Sequence, residues 1–343
     1  MKKFGNFNHG GDIKSFAKKA KCKEKEVIDL SSNINFLKPK LDIDFNSLDI
    51  SSYPNYDKLY KAISNHYNVM KSEIELYNGG SSAIFRLFEN LKLKHCTIYS
   101  PAYLEYKKAA LNFDYDIDLI NRFKDMNKEV KKGSFVIFVN PSTPDAKCYD
   151  IKKLLKQWIK KECAILIDES FLEFTNHESA TKYLKEYDKL YILKSMTKFY
   201  SSAGIRVGTI ISSKENIKKL KEKEPMWKLS TFDMTYLIEV LKYKNFYKKA
   251  KKKNKENLEL LCSTVKKYSF IKMIHKSEAN YILVKLKGIK AKELQEKLIP
   301  YKIMIRDCSN FDFLGKYHVR IAVKSKKSIK LLDKAFEEIE KCI

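Results

Sequence analysis

Short apolar runs recur along the first two thirds of the chain, separated by segments whose apolar positions return at helical spacing. Cys96–Tyr99, Phe135–Val139, Ala164–Ile167 and Leu190–Leu193 are unbroken apolar or β-branched stretches of the kind that lie buried in a sheet. A further run, Ile205 to Ile211, is interrupted only by Arg206, Gly208 and Thr209, and a shorter strand runs from Val27 into the polar loop Ser31–Asn35. Between the strands, residues 59, 62, 63 and 67 form one helical stripe, and Phe85, Leu87, Phe88 and Leu91 another. Ser81 and Ser82 offer N-caps for that second helix, which follows the strand ending at Tyr77. Strands alternating with amphipathic helices predict an α/β fold, a mostly parallel sheet with helices on both faces.

Past Pro225 the pattern changes. A lysine-rich helical stretch runs from about Thr235 to Tyr268 and is read as one long helix. Strands over Asn280–Val284, Ile303–Arg306 and His318–Val323 and helices over Ala291–Leu298 and Ile329–Ile339 then predict a small α+β unit. The expected division is an N-terminal segment, 1–30, packing on the active site and the small domain; a large domain, 31–235; and a small C-terminal domain, 236–343.

Composition changes this picture little. With 343 residues, 44% hydrophobic and 13% aromatic, the chain can bury ample core. A formal charge of +26 invites a nucleic-acid reading. The lysines are spread over the whole length, however, and no nucleic-acid motif accompanies them, so neither nucleic acid nor membrane is expected as a partner. The seven cysteines are scattered without a C-x-x-C pair, which speaks against disulfides or a zinc site and for a reducing, cytoplasmic setting. The six histidines are far apart, and no metal-ligand cluster is evident.

Polar residues gather where the strands end, the place where parallel α/β sheets bind ligands. Asn78-Gly79-Gly80-Ser81 precedes a helix, so its backbone N–H groups and the helix dipole suit a phosphate; a plain strand-to-helix connection reads the same way. Tyr103 follows the strand at 95–99, Asn140 ends the strand at 134–139, and Asp168 ends that at 164–167. The loop 194–208 holds Ser195, Lys198 and Arg206. A lysine between two buried strands can form a Schiff base with an aldehyde, with the serine and arginine on a phosphate. Taken together these groups suit pyridoxal 5'-phosphate: Asp168 for its pyridine nitrogen, Asn140 for its phenolic oxygen, Tyr103 against its ring.

The pieces N-G-G-S at 78–81, N-P-x-x-P at 140–144, D-E at 168–169, and S-x-x-K with G-x-R-x-G at 195–208 resemble the fold type I, class I/II pyridoxal-phosphate-dependent aminotransferases. The resemblance covers essentially the whole chain. Within that superfamily the chain is similar to the histidinol-phosphate aminotransferase branch, and more so to the threonine-phosphate decarboxylases of cobalamin biosynthesis. That rests on His9-Gly10-Gly11, Ser31–Asn35, Thr197–Tyr200, Ile305–Phe311, and Phe171 where the aminotransferases usually carry tyrosine. The resemblance implies Lys198 as the covalent anchor, with Asp168 and Tyr103 completing the catalytic set. It implies Gly79, Gly80, Ser81, Asn140, Ser195 and Arg206 around the cofactor. His9, Gly10, Asn33, Tyr53, Asn140, Arg306 and Arg320 would bind a phosphorylated amino acid, with Arg320 on its carboxylate. A homodimer with the active site at its interface is implied, Tyr53 serving either its own subunit's site or the partner's. Bland alternatives stand beside these: a turn residue for His9 and Tyr53, an exposed strand-end charge for Arg306.

Two departures separate the chain from the usual pattern: Ala146 replaces the glycine after N-P-x-x-P, and Ala203 a proline in the lysine loop. The expected reaction is decarboxylation of O-phosphothreonine or O-phosphoserine to an amino-alcohol phosphate. The alternative is transamination of the histidinol-phosphate type with 2-oxoglutarate, and a remote one is a non-catalytic nucleic-acid binder.

Overall fold

In the computed structural model, which describes residues 9–343, the apolar runs assemble one seven-stranded sheet. After helix α1 (Ile13–Lys19), the short strand β1 (Ile28–Asp29) and α2 (Asp57–Tyr67), the chain enters that sheet at β2 (Ile74–Tyr77). It continues through α3 (Gly79–Leu91), β3 (His95–Ser100), α4 (Leu104–Asn112), β4 (Asp116–Asn121), β5 (Phe135–Val139), α5 (Lys152–Lys160), β6 (Ala164–Asp168), β7 (Leu190–Ser195) and β8 (Gly208–Ser212). The strand order is β2-β8-β7-β6-β5-β3-β4, and only β8 runs against its neighbours. β5 and β6 are buried at every position, because helices cover both faces. Leu87, Phe88 and Tyr106 pack on one face; Leu154, Leu155 and Trp158 on the other. The parallel arrangement brings the C-terminal ends of β3, β5, β6 and β7 to one edge.

The remainder follows α6 (Lys214–Lys221), α7 (Thr231–Lys242) and α8 (Lys244–Val265). Strands β9 (Ile271–Ile274), β10 (Tyr281–Leu286), β11 (Ile303–Met304), β12 (Arg306–Asp307) and β13 (His318–Ala322) follow with α9 (Ala291–Leu298) and α10 (Lys326–Glu340). β12-β13-β10-β9 form an antiparallel sheet, and β11 pairs in parallel with β1. Leu30 is buried in the same core as Ile282, Ile321 and Phe336, so the residues after β1 pack with this smaller unit. No helix among the described residues is long and apolar enough to cross a membrane.

Four local expectations are corrected. The long helix expected from Thr235 to Tyr268 is two, because Tyr243 leaves the helical region (φ −84°, ψ 68°). The break lets Leu237 and Val240 of α7 and Phe246 and Ala250 of α8 reach one core. Ser81 and Ser82 are not N-caps: α3 begins at Gly79, and no side chain caps it. The strand expected from Ile205 starts at Gly208, since residues 205–207 turn Arg206 away from the sheet. The stretch Ile303–Arg306 splits, Ile303–Met304 pairing with β1 and Arg306–Asp307 with β13, which sets Arg306 directly opposite Arg320.

Candidate active site

The strand ends at the sheet edge, the loop 31–34 and strands β12 and β13 enclose a cavity of about 430 Å³. Every residue expected at the site lines it except Gly79, Asn140 and Tyr53. Lys198 lies at its centre, its Nζ donating to Thr197 Oγ1 (3.0 Å). Burial pulls its amine down to about 8; the negative charge of Asp168 opposes the drop, and Arg206 and Arg320 add to it. An amine with that value is partly neutral near neutral pH and so available as a nucleophile or base.

Asp168 is held from two sides. Ser170 donates to Oδ1 through its backbone N–H (2.8 Å) and hydroxyl, and Tyr106 donates to Oδ2. Burial pushes the carboxyl up, while the Ser170 and Tyr106 hydrogen bonds and the Lys198 charge pull it down. Tyr106 follows Tyr103 by one helical turn, so the spacing Tyr103-Leu104-Glu105-Tyr106 is the sequence signal that sets both rings on one side of α4's start. Tyr103 Oη lies 3.2 Å from Ser81 Oγ, and its ring centroid 5.2 Å from that of His9, whose Nε2 is 3.0 Å from Glu105 Oε1.

A set of hydrogen-bond donors gathers around the start of α3. The uncapped N-terminus of α3 carries no acidic residue in its first turn, so its N–H groups and dipole are available to a negative ligand. Ser195 Oγ and Thr197 Oγ1 lie 3.0 Å apart beside it. Arg206 is aimed there by its own backbone: Nη1 donates to Ala203 O (3.0 Å), and Asp233 Oδ1 accepts from its N–H (2.9 Å). Gly79 does not line the cavity but makes room for this arginine. Its φ is +81°, and a Cβ there would lie 2.2 Å from Arg206 Nη2. At Gly208, wedged between Tyr77 and Ser195, a Cβ would lie 2.6 Å from Gly80 N. Gly208→Ala is therefore expected to destabilise the protein by about 1–3 kcal/mol. Urea unfolding of the protein without cofactor measures this directly.

Arg306 and Arg320, opposite each other on β12 and β13, line the same cavity and are both buried. Arg320 donates from Nη1 to Thr143 Oγ1 (3.2 Å) and from Nη2 to Ser31 O (2.9 Å). Both acceptors are neutral, and among the described residues Arg320 has no ion pair and its Nε no hydrogen-bond partner. Arg306 donates to Asn310 Oδ1 (2.9 Å), and its guanidinium lies 5.5 Å from the Phe311 ring centroid. Asn33 Oδ1 is likewise buried without a partner among the described residues. Gly10 is tight against the loop, a Cβ there lying 2.7 Å from Ser31 O.

Two expected residues lie elsewhere. Asn140 turns away: its Nδ2 donates to Tyr149 O (3.1 Å) and its Oδ1 accepts from Tyr149 N (2.9 Å), so both ends of the amide are committed to the loop's own backbone. Thr143, three residues on, points into the cavity instead. Its loop is closed by Ala146, whose φ of +61° is the left-handed conformation that glycine adopts more readily; alanine costs about 1 kcal/mol there. Tyr53 is 74% exposed and stacks on Trp227 with centroids 3.9 Å apart, outside the cavity of its own chain. Asn35, in sequence only a member of the polar loop 31–35, braces the lysine. Its N–H donates to Lys198 O (3.0 Å) and its Nδ2 to Phe199 O (2.8 Å).

Comparison with known proteins identifies the family. The chain is 29% identical over 356 residues to the adenosylcobalamin biosynthesis bifunctional protein CobDQ of Leptospira interrogans. The alignment takes in 96% of this chain but only 41% of that longer protein. It is 29% identical over 340 residues to the protein of Caldanaerobacter subterraneus named "Putative threonine-phosphate decarboxylase", covering 94% of this chain and 90% of the relative. The crystal structure of the histidinol-phosphate aminotransferase from Clostridium acetobutylicum superimposes with a TM-score of 0.82 at 29% identity, over 92% of this chain and 99% of that one. The family model for aminotransferase class I and II matches residues 26–339, and the chain belongs to that family.

Proposed function

We propose that the protein binds pyridoxal 5'-phosphate in the central cavity and decarboxylates a phosphorylated amino acid, O-phosphothreonine or O-phosphoserine. The residues present fit the cofactor. The space at Gly79 that Arg206 fills, together with the uncapped α3 N-terminus, makes a phosphate cradle that a side chain would close. Gly80, Ser81, Ser195 and Arg206 would hold the phosphate, Tyr103 the ring face, Asp168 the ring nitrogen and Lys198 the aldehyde carbon. Asn140 takes no part in this assignment. Bound there, the cofactor would supply an electron sink for the bond that breaks at the substrate's Cα.

This chain's own residues then decide which bond that is. The observation that carries the substrate reading is the facing pair of buried guanidiniums, Arg306 opposite Arg320, in one cavity. Two fixed cations suit a substrate with two anionic groups. O-phosphothreonine carries both a carboxylate and a phosphate; histidinol phosphate carries the phosphate alone, although 2-oxoglutarate, the co-substrate of the second reading, also carries two anionic groups. Arg320, held rigid by Thr143 and Ser31, would orient the carboxylate, and Arg306 with His9 and Asn33 the phosphate. Phe171 and Phe311 line the same cavity and limit water near Cα. Lys198, freed on substrate binding, supplies a proton where the carboxylate leaves. The names of the Leptospira and Caldanaerobacter relatives support this reading. The Clostridium structure supports the second, a histidinol-phosphate-type aminotransferase, in which Lys198 would instead remove the Cα proton.

Supplying O-phosphothreonine, O-phosphoserine and histidinol phosphate separately, each with 2-oxoglutarate, separates the two. Carbon dioxide release without glutamate is expected; rapid glutamate formation would overturn the proposal. The cofactor assignment carries its own pH signature. A protonated amine does not attack an aldehyde, so capture of pyridoxal phosphate by the cofactor-free protein should quicken as pH rises through about 8. In Asp168→Asn the midpoint should move down, because the carboxylate that favours the charged amine is gone. Stopped-flow absorbance reads both.

The exposed stacked pair Tyr53 and Trp227, with exposed Ile50 and Met226 close to them in sequence, supports a homodimer, with Tyr53 reaching the partner's cavity.

A further inference from the structure

Cys148, His177 and Glu278 are far apart in sequence, and no spacing rule links them. Folding gathers them: a thiol sulfur, an imidazole nitrogen and a carboxylate oxygen all lie within 4.8 Å of one another. His177 Nε2 is 2.9 Å from Glu278 Oε1, and Cys148 N donates to Glu278 Oε2 (2.9 Å). The three come from separate elements: the loop after β5, the segment after β6, and the approach to β10. We infer that Cys148, His177 and Glu278 form a binding site for a zinc-class divalent cation, distinct from the active site.

The donor set decides the class of ion. One sulfur, one nitrogen and one oxygen suit a borderline cation that accepts all three, and they disfavour magnesium or calcium, which prefer oxygen alone. A tetrahedral zinc site with ordinary bond lengths separates its ligand atoms by roughly 3.3–3.8 Å. Closing the present cluster to that spacing needs side-chain movement of about an ångström, and three protein ligands leave the fourth position to water. The ion can arrive from solvent: His177 is exposed, Cys148 and Glu278 are partly so, and Cys148 and His177 line an open cavity of about 410 Å³. Without a cation, burial and the Glu278 charge push the Cys148 thiol up to about 12. A bound dication reverses that balance: the sulfur–metal bond forms as the S–H proton passes to solvent.

The site has a structural consequence. Glu278 N donates to Ala146 O (2.8 Å), in the loop that carries Thr143 to Arg320. A cation joining Cys148 to Glu278 would fasten that loop to the approach to β10 from the side opposite the active cavity.

Tag-free holoprotein titrated calorimetrically with zinc chloride is expected to bind one equivalent. Cys148→Ser and Glu278→Gln should each weaken it by at least about tenfold. Cobalt(II) in place of zinc should give a thiolate charge-transfer band in wild type and none in Cys148→Ser. Where a variant folds poorly, the wild type alone decides. Zinc should protect Cys148 from alkylation, read on its own peptide by mass spectrometry, while Cys22 and Cys342 stay reactive. No stoichiometric binding, binding unchanged in Cys148→Ser, or a Cys148 that alkylates equally with and without zinc would each overturn the inference.

Discussion

Lys198→Ala is expected to yield a folded protein that borohydride no longer links to pyridoxal phosphate. Its turnover of O-phosphothreonine should fall by about 10 000-fold or more. Folding should survive, because among the described residues the amine makes a single hydrogen bond, to Thr197 Oγ1, and no ion pair. Its burial is a cost to the fold, expressed in the fall of its pKa to about 8. Removing it should leave thermal stability of the cofactor-free protein equal or higher, while all covalent capture disappears. The variant can still hold the cofactor non-covalently through Arg206, Ser195 and α3, so retained binding with lost borohydride fixation is the specific signature. Retention of a borohydride-reducible link would contradict the role given to Lys198.

Arg320→Met is expected to lower kcat/KM for O-phosphothreonine by about 100- to 1000-fold, the usual cost of removing one partner of a buried charge pair. The guanidinium is presented by two fixed neutral acceptors, so little reorganisation is needed when a carboxylate arrives. Arg320→Lys should recover little, since one ammonium cannot replace a planar fork that contacts Thr143, Ser31 and substrate together. Cofactor affinity should be nearly unchanged, because Arg320 is not among the residues proposed to hold the cofactor's phosphate or ring. The Lys198 midpoint should rise, because Arg320 is one of the charges that lower it. Equal losses in cofactor affinity and in kcat/KM would point to collapse of the cavity instead.

The large sheet could be read from residue pattern because its strands are buried on both faces and so appear as unbroken apolar runs. The strand-end residues Asp168, Ser195 and Lys198 followed from that reading, since a parallel sheet presents its C-terminal ends at one edge. Side-chain direction in loops could not be read this way. Asn140 and Thr143 are both polar, three residues apart, and only the hydrogen bonding of Tyr149 decides that the first turns away and the second turns in. Arg306 faces Arg320 because the stretch 303–306 changes partner strand between Met304 and Arg306, a tertiary event with no periodic trace. The break at Tyr243 is similar: residues on both sides favour helix, and packing against one shared core decides where it bends.

The Cα bond that breaks is the most direct test of the functional account. Holoprotein in deuterium oxide, supplied with O-phosphothreonine carrying carbon-13 in its carboxyl group and with 2-oxoglutarate, can be followed by NMR. The account predicts that the label leaves as carbon dioxide and bicarbonate, that the amino-alcohol phosphate keeps its original Cα hydrogen and gains a single deuterium, and that 2-oxoglutarate is not consumed. Label retained in a 2-oxo acid, with glutamate formed in step, would contradict it.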